Sequence, residues 1–134
     1  MKKFKKTMPI FPTEITVCIW KVDELNNDIG KLNSNKKYLF NEYHRAKAFA
    51  IWSWNYAMYF RENDYWLDSF IHESYHIINW IASDLWLIIH WESDEVWAYM
   101  QEWIYKTFHK QIEKYIEEQK TLLNNTKKWQ KKKN

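Results

Sequence analysis

The sequence predicts a compact α+β domain, with helices packed on a small antiparallel sheet. Three observations carry that prediction. β-Branched and aromatic residues gather at strand spacing in 14–20 and 47–61. Apolar residues then recur at helical spacing from 65 to about 82, and again from 93 to near 120. No Gly/Ser linker, internal repeat or shift in composition divides the chain, so 1–134 reads as a single domain.

Glu14-Ile-Thr-Val-Cys-Ile-Trp20 is the first expected strand. Residues 22–32 follow as a short helix with Asp23 near its start and Gly30, the only glycine, near its end. Residues 33–46 are polar and read as a loop. Ala48-Phe49-Ala50-Ile51-Trp52 and Tyr56-Ala57-Met58-Tyr59-Phe60 flank Ser53-Trp54-Asn55 and predict a hairpin. Asp64 is then placed to cap a helix whose stripe is Leu67, Phe70/Ile71, Ser74, Ile77/Ile78 and Ile81. After an apolar connection at 83–92, Ser93-Asp94-Glu95 opens a long helix. Its acidic first turn suits the helix dipole, and its stripe is Val96, Tyr99/Met100, Trp103, Thr107/Phe108, Ile112 and Tyr115.

Aromatic residues make up 19% of the chain, with ten tryptophans, so few side chains fill a large core. Trp80, Trp97 and Trp103 are expected in that core, and Trp86 and Trp91 over the site or its rim. Cys18 stands alone in an apolar run and reads as a small buried hydrophobe rather than a nucleophile. The net charge of +3 is unevenly placed. Residues 1–6 hold four lysines and 127–134 hold five, leaving 11 basic against 17 acidic residues between, a charge near −6. The two ends read as solvated, mobile basic tails, the folded core spans about 14–120, and the body lacks the charge of a nucleic-acid surface. The lysine-rich start is broken by Pro9, Pro12 and Glu14 before any signal-like apolar run forms, and no stretch is long and apolar enough for a membrane span. The expectation is an unexported, cytoplasmic protein.

His72-Glu73-Ser74-Tyr75-His76 is the segment that carries chemistry. Histidines at i and i+4 project from one face of a helix about a turn apart, where two imidazole nitrogens reach one zinc ion at ~2.0–2.1 Å. Glu73 is rotated about 100° from His72, beside the metal rather than on it, as a base for the water that the metal activates. Composition alone produces this pattern in about 1–2% of such chains, so its weight comes from falling on an expected helix. The plainer alternative is two histidines that hydrogen-bond against a partner helix. A catalytic zinc site takes a third protein ligand. Glycine at 79 and histidine at 82 would extend the motif, but Asn79 and Ala82 stand there. Glu95 is the first candidate, since an antiparallel helix would return its first turn toward the histidines. Asp94 and Glu92 are runners-up, Asp84 is weaker, and His90 is more simply a packed side chain.

The run from His72 to His76, followed by Asp94-Glu95-Val96-Trp97-Ala98-Tyr99, resembles the small HExxH…DExxAY proteins of bacteriophages and prophages. These are described as zinc metallopeptidases of minimal gluzincin type. The resemblance covers roughly residues 46–108. It implies a zincin-like fold, zinc on His72, His76 and Glu95, Glu73 as general base, and a peptide or protein substrate in a host-cell cytoplasm. Larger gluzincins often carry an aspartate four residues after the ligand glutamate. Tyr99 stands at that position, either orienting a ligand through its hydroxyl or packing. The chain lacks the extra subdomain that walls a larger peptidase cleft. Two other functions compete: a phage effector or binding protein with a structural zinc site, and nucleic-acid binding through the lysine ends.

Overall fold

A computed structural model describes residues 1–9, 11–52, 54–85 and 94–133. The order is β1 (Lys2–Thr7), β2 (Glu14–Trp20), α1 (Val22–Leu32), a 3₁₀ turn (Lys36–Tyr38), β3 (Ala46–Trp52), β4 (Asn55–Arg61) and α2 (Leu67–Asp84). A second helical run follows: α3 (Asp94–Ile104), a π turn (Tyr105–His109) and α4 (Lys110–Lys133). The four strands form one sheet in the order β1-β2-β4-β3. β1 with β2 and β3 with β4 are antiparallel, but β2 and β4 run parallel. The sheet is therefore mixed, not the antiparallel sheet expected. A parallel pair requires a crossover, and α1 lies within it.

Alternation along the strands separates two cores. Ile15, Val17 and Ile19 of β2 and Tyr56, Met58 and Phe60 of β4 face α2 and the C-terminal helical run. Cys18, Ala57 and Tyr59 face the other way, onto Leu25 and Ile29 of α1. The sheet is thus the middle layer of three. Each fully buried side chain of this size contributes about 1.5–3 kcal/mol by leaving water.

The sequence-based helix boundaries shift in instructive ways. Asp64 does not cap α2. It accepts a hydrogen bond from Trp66 Nε1 at 2.8 Å and lies 3.7 Å from Arg45, while α2 begins without a side-chain cap. Residues 105–109 form a wide π turn. The buried side chains Met100, Ile104, Phe108 and Ile112 recur every four residues. On an α-helix that spacing drifts about 40° per step, and one wide turn takes up the drift and returns Phe108 and Ile112 to the core.

The first basic end is a strand rather than the free tail expected. β1 pairs with β2 along Lys2–Thr7, and Lys3 and Lys5 meet Asp28 and Glu14 at 2.9 and 2.8 Å. An exposed edge strand carrying lysines is satisfied on one side by its ladder and resists pairing with another chain on the other. At the far end α4 runs through to Lys133, past the boundary expected near 120, because the segment is built of good helix formers and holds no glycine or proline. Among the described residues no helix is long and apolar enough to cross a membrane.

Candidate metal centre

α2 buries Phe70, Ser74, Ile77, Ile78 and Ile81 against the sheet and the C-terminal helices. Anchoring that stripe leaves His72, His76 and Trp80 on an outward flank toward β3. α3 occupies the other flank. Tyr75 meets Trp97, Gln101 Nε2 donates to Ser74 Oγ at 2.8 Å, and Phe70 meets Tyr105. Later residues of the second helical run meet earlier ones of α2, so the two are antiparallel, as the sequence predicts.

The imidazoles of His72 and His76 converge, Nε2 to Nε2, at 3.1 Å. Two bonds of ~2.0–2.1 Å to nitrogens at that separation subtend about 100°, near the tetrahedral angle of zinc. The same distance also suits one N–H···N hydrogen bond, the plainer arrangement of two neutral rings. Burial, and next the neighbouring His72, lower the pKa of His76, which favours the neutral ring that either arrangement requires.

Glu73 is 8% exposed and faces β3. Its carboxylate accepts a hydrogen bond from the Ala48 backbone N–H, with Lys47 and His72 nearby. Burial raises its pKa more than these three neighbours lower it. A cleft of about 430 Å³ opens beside it, lined by His44, Arg45, Asp68, Ser69, His72 and Glu73 among others. Thus His72 and the buried Glu73 carboxyl line one concave site, bounded on its other side by the segment that leads into β3.

The third position is not assembled by the described side chains. Glu95 lies exposed in the first turn of α3. Among the described residues no group of three His, Cys, Asp or Glu side chains converges. Asp94 begins α3, but its side chain, like Glu92, His90, Trp86 and Trp91, lies outside the described residues. Asp84 is engaged elsewhere, accepting from the Tyr56 hydroxyl. Tyr99 is half-exposed, and among the described residues it bonds neither histidine. Trp80, Trp97 and Trp103 are half-buried against the core.

Three contributors escaped the sequence. His44 and Arg45 sit in a segment that reads as plain loop, and the Ala48 N–H is backbone. The only signal for them is their place directly before and within an edge strand. No family model, curated protein or solved structure matches this chain.

Proposed function

We propose that the chain is a minimal zinc-dependent hydrolase of zincin type, acting on peptide bonds. The observation that carries this is the convergence of the two Nε2 atoms at 3.1 Å beside a buried carboxyl in a cleft. His72 and His76 hold the metal, with Glu95, or Asp94 behind it, as the third ligand. The metal supplies Lewis-acid polarisation of the carbonyl and lowers the pKa of water. Glu73 Oε takes the proton of the attacking water and delivers it to the leaving nitrogen. Its raised pKa suits this exchange, and the Ala48 N–H fixes its direction. The outer edge of β3 offers backbone groups to an extended substrate. Zinc held by His72, His76 and Glu95 predicts one equivalent of metal in the purified protein, lost in His76→Ala and in Glu95→Ala. Glu73→Gln keeps the metal and loses peptide hydrolysis. Metal-free wild type, or full activity in Glu73→Gln, refutes the proposal.

One observation favours a second reading. The described side chains supply two converging ligands rather than three, as suits a binding protein with a vestigial site. In that case Glu73→Gln leaves partner binding unchanged.

A further inference from the structure

The four-residue spacing that pairs His72 with His76 continues along α2 to Trp80 and Asp84. Such a row climbs about 6 Å and drifts about 40° per step, so from the outward flank at His72 it turns toward the sheet, where Trp80 and Asp84 meet Tyr56. The side chains follow one another in contact. The His76 ring lies 5.9 Å from that of Trp80 at 24°, and Trp80 stacks on Tyr56 at 6.4 Å and 8°. The Tyr56 hydroxyl then donates to the Asp84 carboxylate. Beyond it lies a second cleft, of about 410 Å³, lined by Ala50, Trp52, Trp54, Tyr56 and Asp84 among others.

The lining is aromatic surface around one carboxylate. Trp52 is 80% exposed, although it is one of the largest apolar side chains. Trp54 takes a left-handed backbone, φ 67°, that a bulky residue rarely adopts. The strand register shifts between Ala50 and Trp52, which turns this end of β3 out of the regular ladder. Among the described residues no lysine or arginine pairs with Asp84. Residues 53 and 86–93, outside the description, contain neither residue type. Tryptophan and tyrosine faces attract a cation through their quadrupoles, and a carboxylate beside them adds charge complementarity.

We infer that this cleft is a subsite for a cationic side chain, the lysine or arginine of a peptide lying along β3. The aromatic rings take the aliphatic stem and the Asp84 carboxylate takes the charge. Asp84 lies eight residues, about 12 Å, beyond His76, and an extended peptide spans that in three to four residues. The substrate class is therefore a basic peptide with its charge three to four residues from the bond held beside His76. That last step rests on the hydrolase proposal; the cation site itself does not.

The test separates the two. Full-length protein labelled with 5-fluorotryptophan is stripped of metal and titrated with blocked Ser/Ala heptapeptides carrying one lysine, norleucine or glutamate. Fluorine resonances are assigned through Trp52→Phe and Trp54→Phe. The lysine peptide should shift the Trp52 and Trp54 resonances and bind roughly 5- to 30-fold more tightly than the norleucine peptide, with glutamate weaker still. Asp84→Asn, which keeps an acceptor for Tyr56, should bring lysine and norleucine within twofold. Trp52→Ala, which removes a ring that is mostly in solvent, should do the same without loss of fold. Equal binding of lysine and norleucine, shifts confined to other tryptophans, or an unchanged preference in both variants overturns the subsite. Failure to bind zinc or to cleave leaves that result intact and refutes the hydrolase proposal alone. In metal-loaded protein, cleavage should be fastest with lysine three or four residues from the bond, and position-independent cleavage overturns the link between the clefts.

Discussion

Tyr65→Phe tests what holds α2 in place. Tyr65 lies two residues before the helix, and its hydroxyl is 2.5 Å from Nδ1 of His109 in the π turn. The other ring nitrogen of His109 is 3.1 Å from Glu113. With Nε2–H donating to Glu113, Nδ1 accepts from the tyrosine, and both nitrogens are satisfied although His109 is only 4% exposed. Removing the hydroxyl strands a buried acceptor at a cost of ~1–3 kcal/mol, which predicts a loss of about 2 kcal/mol. Melting entropy of ~2.1 cal/mol/K per residue makes that a fall in Tm of about 7 °C for 134 residues. Urea unfolding followed by circular dichroism measures it, and a double-mutant cycle with His109→Leu should return a coupling of about 1–2 kcal/mol. Glu113 is 60% exposed, so Glu113→Gln should cost under ~0.5 kcal/mol. If Tyr65→Phe stays within ~0.5 kcal/mol of the parent, or the cycle is additive, the contact is not a latch.

Gly30 sits in the last turn of α1, and a Cβ there meets nothing within 4 Å. Gly30→Ala should therefore stabilise by ~0.5–1 kcal/mol, read as a rise in Tm of about 2–4 °C. Burial pushes the Cys18 thiol up to about 12, so iodoacetamide at pH 8 should modify the unfolded chain and spare the native one, as mass spectrometry would show. Because the folded thiol keeps its proton after the unfolded one has lost it, its contribution to stability is complete below pH 9. It declines as pH rises from 9 toward 12, and Cys18→Ala should flatten that part of the stability–pH curve. Deleting residues 1–6 strips the ladder from β2 and should lower Tm by several degrees. Deleting 127–134 removes only helix beyond the core, so ellipticity should fall with little change in Tm.

Helices and hairpin were legible because their stripes serve one purpose each. Phe70, Ser74, Ile77 and Ile81 recur at helical spacing because one face of α2 meets the core, and Tyr56–Phe60 is a continuous apolar run because β4 is central and covered on both faces. β1 was hidden for the opposite reason. Both its faces are largely exposed, so Lys2–Thr7 shows no apolar alternation, and its place comes from ladder bonds and ion pairs made with distant residues. Strand order was also beyond reach, since nothing local in β2 or β4 records that they lie side by side and parallel. The π turn was written in the four-residue spacing of Met100, Ile104, Phe108 and Ile112, a spacing too wide for a straight α-helix to keep on one face.

The site divides along the same line. His72 and His76 were readable because i, i+4 on a helix is a local rule, and their Nε2 atoms do meet. A third ligand depends on how two helices pack, and the spacing of 19 residues between His76 and Glu95 leaves open which flank of α2 the second helix takes. α3 takes the Tyr75 flank, whereas the clefts lie on the side toward β3, so the proposed third ligand and the proposed substrate come to α2 from opposite sides. That separation is what the proposed hydrolase requires. One flank is left for a third ligand, while the other carries the two clefts, the second of them ending in aromatic rings around Asp84.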